Sequence, residues 1–223
     1  MNTNKQLRFA FYVTGNASRL LKVIEQYPEI IQSTFVVVND EAPNEKLSNL
    51  LKAAKVEYIE YSYKEKGLKG NEKNSYTSDL LLEKFKEFAI DFSFCFGGRI
   101  LKGELLEAYK NKIINFHPAV LPMFPGVKSI DQALNANAFL LGNTAHFVDA
   151  GTDTGPVIMQ STLHSKSFNN YEDVLGLQLP MIYQIFCWLN ENRVQVDGNK
   201  VTIENSNYNQ VAFYPKLEIN HSF

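Results

Sequence analysis

From Leu7 to His117 short apolar runs of strand character alternate with helical patterns, a rhythm met by a parallel sheet with helices on its two faces and by few other folds. "LRFAFYV" reads as a buried strand, "TGNAS" as a turn, and "RLLKVIEQY" as a helix whose apolar stripe is Leu20, Leu21, Val23 and Ile24. "STFVVVND" is rich in β-branched residues and predicts a second strand; "NEKLSNLLKAAK" predicts a helix and "VEYIEYSY" a third strand. The polar, glycine-dotted segment 64–78, "KEKGLKGNEKNSYTS", reads as the mobile loop of the chain. The pattern then resumes with helix "DLLLEKFKEFA", strand "IDFSFCF", turn "GGRI", helix "GELLEAYKN" and strand "KIINFH". The expected class is α/β, a mostly parallel twisted sheet, with ligands gathered at the C-terminal ends of its strands.

Beyond Gly126 the rhythm changes. "SIDQALNANAF" predicts a helix, "GNTAHFVDA" and "GPVIMQSTLH" two strands joined by "GTDT", and "YEDVLGLQLPMIYQIFCWLNEN" a long helix broken or bent at Pro180. "VQVDGNKVTI" predicts a closing hairpin turning at Asp197-Gly198, and the tail after it is expected to be ordered at Val211 to Tyr214 and loose at its end. The expected organisation is one domain over 1–190, with the hairpin and tail of 191–223 packed on it.

A content of 45% hydrophobic residues in 223 is enough for a proper core. A net charge of −2 without a basic block gives no electrostatic footprint for nucleic acid or an anionic membrane. No apolar run approaches the roughly 18 residues of a membrane span, and "MNTNKQLRF" lacks a secretory apolar stretch, so a cytoplasmic protein is expected. Cys95 and Cys187 each sit among aromatic and aliphatic residues, which favours buried thiols over a disulfide or a metal site. The expected partner is a small molecule.

Three places carry chemistry. In "IINFHPAVLPMFPG" a strand ending at His117 sends Asn115 and His117 to one side, roughly 6.6 Å apart. Pro118 prevents the strand from continuing, so the pair projects from the sheet's edge. A lone histidine at a strand end is more often structural, but an imidazole with a pKa of about 6.5 moves protons at neutral pH and an adjacent amide can steady an oxyanion. The second place is Gly15, Asn16, Ala17 and Ser18, between a strand and a helix, where backbone N–H groups can meet a phosphate. Neither the dinucleotide fingerprint nor a P-loop is present, and a serine cap after a tight turn is the ordinary alternative. The third is "HFVDAGTDTGP". Its Asp153-Thr154-Gly155 matches the triplet of aspartic proteases, but those lie in all-β folds; a polar hairpin turn, or an aspartate orienting a histidine, remain.

Taken together, "NFHPAVLPMFPG" and the later "GNTAHFVDAGTDTGPVIMQ" resemble the folate-dependent formyltransferases, and within them the branch whose acceptor is glycinamide ribonucleotide. The resemblance runs from the Gly15 loop to the helix after Tyr171 and is specific at the two central motifs. It implies a Rossmann-like formyltransferase fold, 10-formyltetrahydrofolate as donor, no metal, and a catalytic set of Asn115, His117 and Asp153. It also implies a folate pocket holding Arg99, Ile100, Leu101 and Asp149, and a cis bond before Pro122. In the pocket stretch Gly98 stands where the family has methionine, which implies a roomier site. The family's phosphate loop, Ser-Gly-x-Gly-Ser-Asn, matches Thr14 to Arg19 with Ala17 and Arg19 as departures; anion binding survives Ala17 if its φ stays negative. Lys73 corresponds to an arginine that faces the substrate phosphate. The glutamate that reads ribose hydroxyls has no counterpart, since no acid lies between Asp173 and Glu191.

The expected activity is formyl transfer to the primary amine of a phosphate-bearing acceptor, glycinamide ribonucleotide first, by a monomer or homodimer. An amino-sugar nucleotide as acceptor, or a silent folate- or nucleotide-binding homologue, are the alternatives. The related hydrolase has a preceding regulatory domain and the methionyl-tRNA enzyme a C-terminal barrel, and neither is expected here.

Overall fold

The structure is a computed structural model and describes residues 6–41 and 44–216. Its elements in chain order are β1 (Phe9–Thr14), α1 (Ser18–Gln26), β2 (Thr34–Asp40), α2 (Glu45–Ala53), β3 (Glu57–Tyr61), α3 (Asn71–Glu87), β4 (Phe92–Cys95), α4 (Glu104–Ala108) and β5 (Ile113–His117). There follow α5 (Ser129–Asn135), β6 (Leu140–Phe147), β7 (Val157–His164), α6 (Tyr171–Leu175), α7 (Gln178–Asn190), β8 (Val194–Asp197) and β9 (Lys200–Ile203). Seven strands form one sheet in the order β3-β2-β1-β4-β5-β6-β7. The pairs from β3 to β5 are parallel, whereas β6 and β7 join antiparallel. The sheet is therefore the mostly parallel α/β one expected, and its order reverses between β1 and β4. That reversal leaves a crevice at the strand ends.

Two cores cover the faces of the sheet. On one, Phe9, Phe11, Phe94, Ile114 and Phe116 pack against Leu20, Val23, Ile182 and Ile185 of α1 and α7. On the other, Ala10, Tyr12, Val36 and Ile113 meet Leu81 and Phe85 of α3 and Leu105 of α4. Ile203 of the closing hairpin is buried in the first core, which ties that hairpin to the body of the molecule. Cys95 is buried and its thiol is pushed up to about 12 by desolvation, while Cys187 is only half-buried; both are free.

The structure departs from the expected elements in four places. Half of the expected loop is helix: α3 starts at Asn71, after Gly70 at φ +48°, and Glu72 accepts from the Lys69 N–H at 3.0 Å. Its polar residues misled because Ser and Thr usually compete with the backbone, whereas Thr77 and Ser78 bond back to the carbonyls of Lys73 and Asn74, each at 2.8 Å. The late helix breaks between Leu175 and Gln178, a turn before Pro180, which sits in the first turn of α7. Proline excludes the carbonyl four residues earlier, here that of Gly176, so the break falls there. The hairpin turn is Gly198-Asn199, because Asp197 pairs with Lys200; Gly198 takes φ +56°, as a first central position of this turn requires. Finally, Ala17 rather than Ser18 caps α1, at φ +49°, and no side chain caps it.

The tail has no regular element from Asn205 to Lys216, though the Tyr214 hydroxyl donates to the Thr162 carbonyl at 3.3 Å. The expected looseness at its end falls on 217–223, outside the described residues.

Candidate active site

The site is built by β5 and its antiparallel neighbour. Register sets Asn115 opposite His146, and the Asn115 Nδ2 and His146 Nε2 are 3.3 Å apart. His146 Nδ1 donates to the Phe147 carbonyl at 2.9 Å, so that its Nε2 is the nitrogen turned toward Asn115 and Asp153. His117 is 5% exposed. Its Nε2 faces the Phe124 carbonyl at 2.8 Å and its Nδ1 faces Asp153 Oδ2 at 3.2 Å. Both ring nitrogens thus face oxygen acceptors.

The proline-rich segment explains itself at this point. After the cis Leu121-Pro122 bond it turns back so that Phe124 offers its carbonyl to His117 and Gly126 donates its N–H to Asp153 Oδ2 at 2.7 Å. Thr144 of β6 anchors the segment, donating to the Ala119 carbonyl at 2.7 Å and accepting from the Leu121 N–H at 3.0 Å. Asp153 itself stands at φ +54°, a left-handed conformation that aspartate tolerates better than most residues. Its other oxygen lies 3.6 Å from His146 Nε2.

Burial alone would raise the Asp153 pKa, but His146, the Gly126 N–H and the charge of His117 outweigh it and hold the carboxyl below the usual range. The group contributes stability that is fully present above the ordinary aspartate pKa of about 3.9 and is lost as pH falls through its lower folded value. Asp153→Asn is therefore expected to be less stable than the parent at neutral pH, with a gap that narrows below about pH 4; urea unfolding across that range checks it.

Beside this set lies a cleft of about 120 Å³ walled by Arg99, Ile100, Leu101, Asp149, Asn115, His146 and Asp153. All four expected folate residues are in its wall, together with Asn115 and Asp153. His117 stands behind Asp153, and His146 takes the wall position instead. Asp149 holds the next loop, accepting from the Gly151 N–H at 3.0 Å and the Thr154 hydroxyl at 2.9 Å. A folate fits what is there: Arg99 Nε is buried without a hydrogen-bond partner and Ile100 presents 66% of its surface. A Cβ at Gly98 would meet only the Thr14 hydroxyl, 3.9 Å away. Behind Arg99 the fully buried Asp40 accepts from the hydroxyls of Tyr12 and Tyr63 at 2.7 and 2.5 Å, and its Oδ2 is 4.0 Å from Arg99 Nε.

On the α1/α7 side of the sheet a second cleft, of about 190 Å³, includes Thr14, Asn16, Ala17, Ser18, Arg19, Lys22, Phe96 and Glu172. Gly15 and Ala17 both have positive φ while Asn16 between them does not, so the negative φ expected at Ala17 is not met. The N–H groups of Gly15, Ala17 and Ser18 are engaged within the protein, by the Asp40 carbonyl, the Thr14 carbonyl and the Asn16 Oδ1, at 2.8, 3.3 and 3.2 Å. Lys73 lies elsewhere: its Nζ is 4.0 Å from Glu41 and 5.1 Å from the Tyr63 ring. Leu175, Gly176 and Leu179 form the wall from the late helices, and the acid present there is Glu172. Among the described residues no group of three or more His, Cys, Asp or Glu is placed to hold a metal ion, and no helix is long and apolar enough to cross a membrane.

A doubly wound sheet with an asparagine, histidine and aspartate set in a cleft at its strand ends is an arrangement suited to acid–base chemistry on a small molecule. Residues 7–174 match the formyl transferase family. The chain belongs to that family of folate-dependent formyltransferases. It is 29% identical over 170 residues to the phosphoribosylglycinamide formyltransferase of Bacillus subtilis, covering 75% of this chain and 84% of that one. It is 35% identical over 97 residues to the formyltetrahydrofolate deformylase of Haemophilus influenzae, 43% of this chain and 35% of the relative. Among solved structures, glycinamide ribonucleotide transformylase 1 from Symbiobacterium toebii aligns with a TM-score of 0.75 at 25% identity, over 89% of this chain and 94% of that one.

Proposed function

We propose that the protein transfers the formyl group of 10-formyltetrahydrofolate to the primary amine of a small phosphate-bearing acceptor, glycinamide ribonucleotide being the first candidate. The observation that carries this is the convergence of Asn115, His146 and Asp153 on the cleft whose wall also holds Arg99, Ile100, Leu101 and Asp149. The folate supplies a formyl carbon open to amine attack, which places negative charge on oxygen and positive charge on nitrogen. Asn115 has a second amide hydrogen, beyond the one given to His146, to donate to that oxygen. His117 stands behind Asp153, its Nδ1 facing the carboxylate at 3.2 Å, where it orients the aspartate toward the cleft. Asp153 borders both the 120 Å³ cleft and a wider opening beside Pro122 and Lys200, so it is reached by water and can take the proton shed by the amine and return it to the folate nitrogen, whose bond to the formyl carbon breaks as the tetrahedral adduct collapses.

Against glycinamide ribonucleotide stands the leucine-lined late helix. The test is release of tetrahydrofolate from 10-formyltetrahydrofolate with a panel of amines. Release only with glycinamide ribonucleotide supports the first acceptor, and release only with an amino-sugar nucleotide replaces it. Release without any amine identifies a hydrolase, the activity named for the Haemophilus influenzae relative. No release under any condition leaves a binding protein and defeats the proposal.

A further inference from the structure

The acceptor-side cleft contains a cation without a partner. Lys22 and Glu172 satisfy each other at its rim, Nζ to Oε2 at 2.5 Å, and so join α1 to α6. Arg19, one residue into α1, has its guanidinium 5.2 Å from the centre of the Phe96 ring and makes no hydrogen bond or ion pair with another described residue. Burial lowers its pKa, and Glu172, already engaged by Lys22, offsets only part of that cost. A half-buried, unpaired guanidinium in a concave site is stabilised by whatever anion enters. Lys73, by contrast, is engaged by Glu41 and Tyr63 and is absent from the cleft wall.

We infer that the acceptor's phosphate monoester is held in this cleft by the Arg19 guanidinium, and that Lys73 takes no direct part in binding it. The inference rests on the reading that the acceptor carries a phosphate. The guanidinium presents two parallel N–H donors to two phosphate oxygens, a match that an ammonium lacks. The Phe96 ring, its centre 5.2 Å from the guanidinium carbon, supports the cation from within the same cleft wall. The Lys22 and Glu172 pair neutralises the rim, so the net attraction is centred on Arg19.

The test is calorimetric titration of the full-length, folate-free protein with inorganic phosphate and with ribose 5-phosphate. Arg19→Gln is expected to weaken ribose 5-phosphate binding at least about tenfold, as loss of a charge-assisted pair does. Arg19→Lys is expected to fall between, and Lys73→Gln to stay within about twofold of the parent. Arg19 and Lys73 are both in first turns of helices, and thermal melts establish that the three variants remain folded. Loss of affinity in Lys73→Gln equal to or above that in Arg19→Gln overturns the assignment, and so does a parent protein that binds neither probe. The outcome is separable from the fate of the transfer reaction. Ribose 5-phosphate bound through Arg19 without formyl transfer to any amine sustains the site and removes the reaction; transfer with no effect of Arg19→Gln on binding does the reverse.

Discussion

His117→Ala is expected to slow tetrahydrofolate release at least about a hundredfold, the usual cost of losing one group that steadies a developing oxyanion. The effect has two parts. Asp153 loses the imidazole that faces its Oδ2, one of the causes, after His146 and the Gly126 N–H, that hold its carboxyl below the usual range. The clamp also opens, because the Phe124 carbonyl loses its donor and the Pro122 to Gly126 segment is then fixed to the site only through the Gly126 N–H on Asp153. Single-turnover rates on protein shown by circular dichroism and melting to be native check the claim. His117 is 5% exposed, so its truncation also costs stability; Asn115→Ala, which leaves the clamp untouched, is expected to show a loss of similar size. Near-normal turnover in a folded variant of either kind removes that residue from the catalytic set.

The framework and the central motifs were legible in the sequence because each rests on local signals. The period of two in "IINFH" placed Asn115 and His117 on one side, and strand order then set the pair on β5, next to β4 of the sheet's reversal. The proline segment was legible as an interruption, yet its use was not: that Phe124 and Gly126 return to His117 and Asp153 depends on a path through space that no spacing encodes. His146 was visible inside its motif, but only the β5/β6 register sets it against Asn115 and on the cleft wall. A signal existed, since a second histidine inside an otherwise buried strand needs a partner. Arg19, Phe96 and Glu172 come from three distant parts of the chain and meet only in the folded molecule. The misread loop before α3 has the opposite cause: its composition was local and clear, but tertiary partners at Tyr61 and Tyr63 take up the Thr77 hydroxyl and tip the balance toward helix.

Gly155→Ala is expected to damage the enzyme more than its single methyl group suggests. A Cβ at Gly155 would lie 1.8 Å from the Phe147 carbonyl oxygen and 2.9 Å from its carbon, and both belong to the backbone of β6. No rotamer relieves that contact. The strand is pinned there, since the Phe147 N–H donates to the Pro156 carbonyl at 2.9 Å and Asp149, two residues beyond Phe147, anchors the loop through Gly151 and Thr154. The chain must therefore yield on the loop side, where Asp153 already holds a left-handed conformation two residues before the glycine. Overpacking of this kind costs about 1 to 3 kcal/mol, or a fall in Tm of roughly 3 to 10 °C for a domain of this size. A shift of about 1 Å in a catalytic group can cost a hundredfold in rate, so turnover is expected to fall further than stability. Gly98→Ala provides the contrast, because its Cβ meets nothing nearer than 3.9 Å, and it is expected to melt within about 1 °C of the parent. If Gly155→Ala melts and turns over like Gly98→Ala, the loop carrying Asp153 is not rigidly set by β6, and the aspartate's position has to be explained by the clamp from His117 and Gly126 alone.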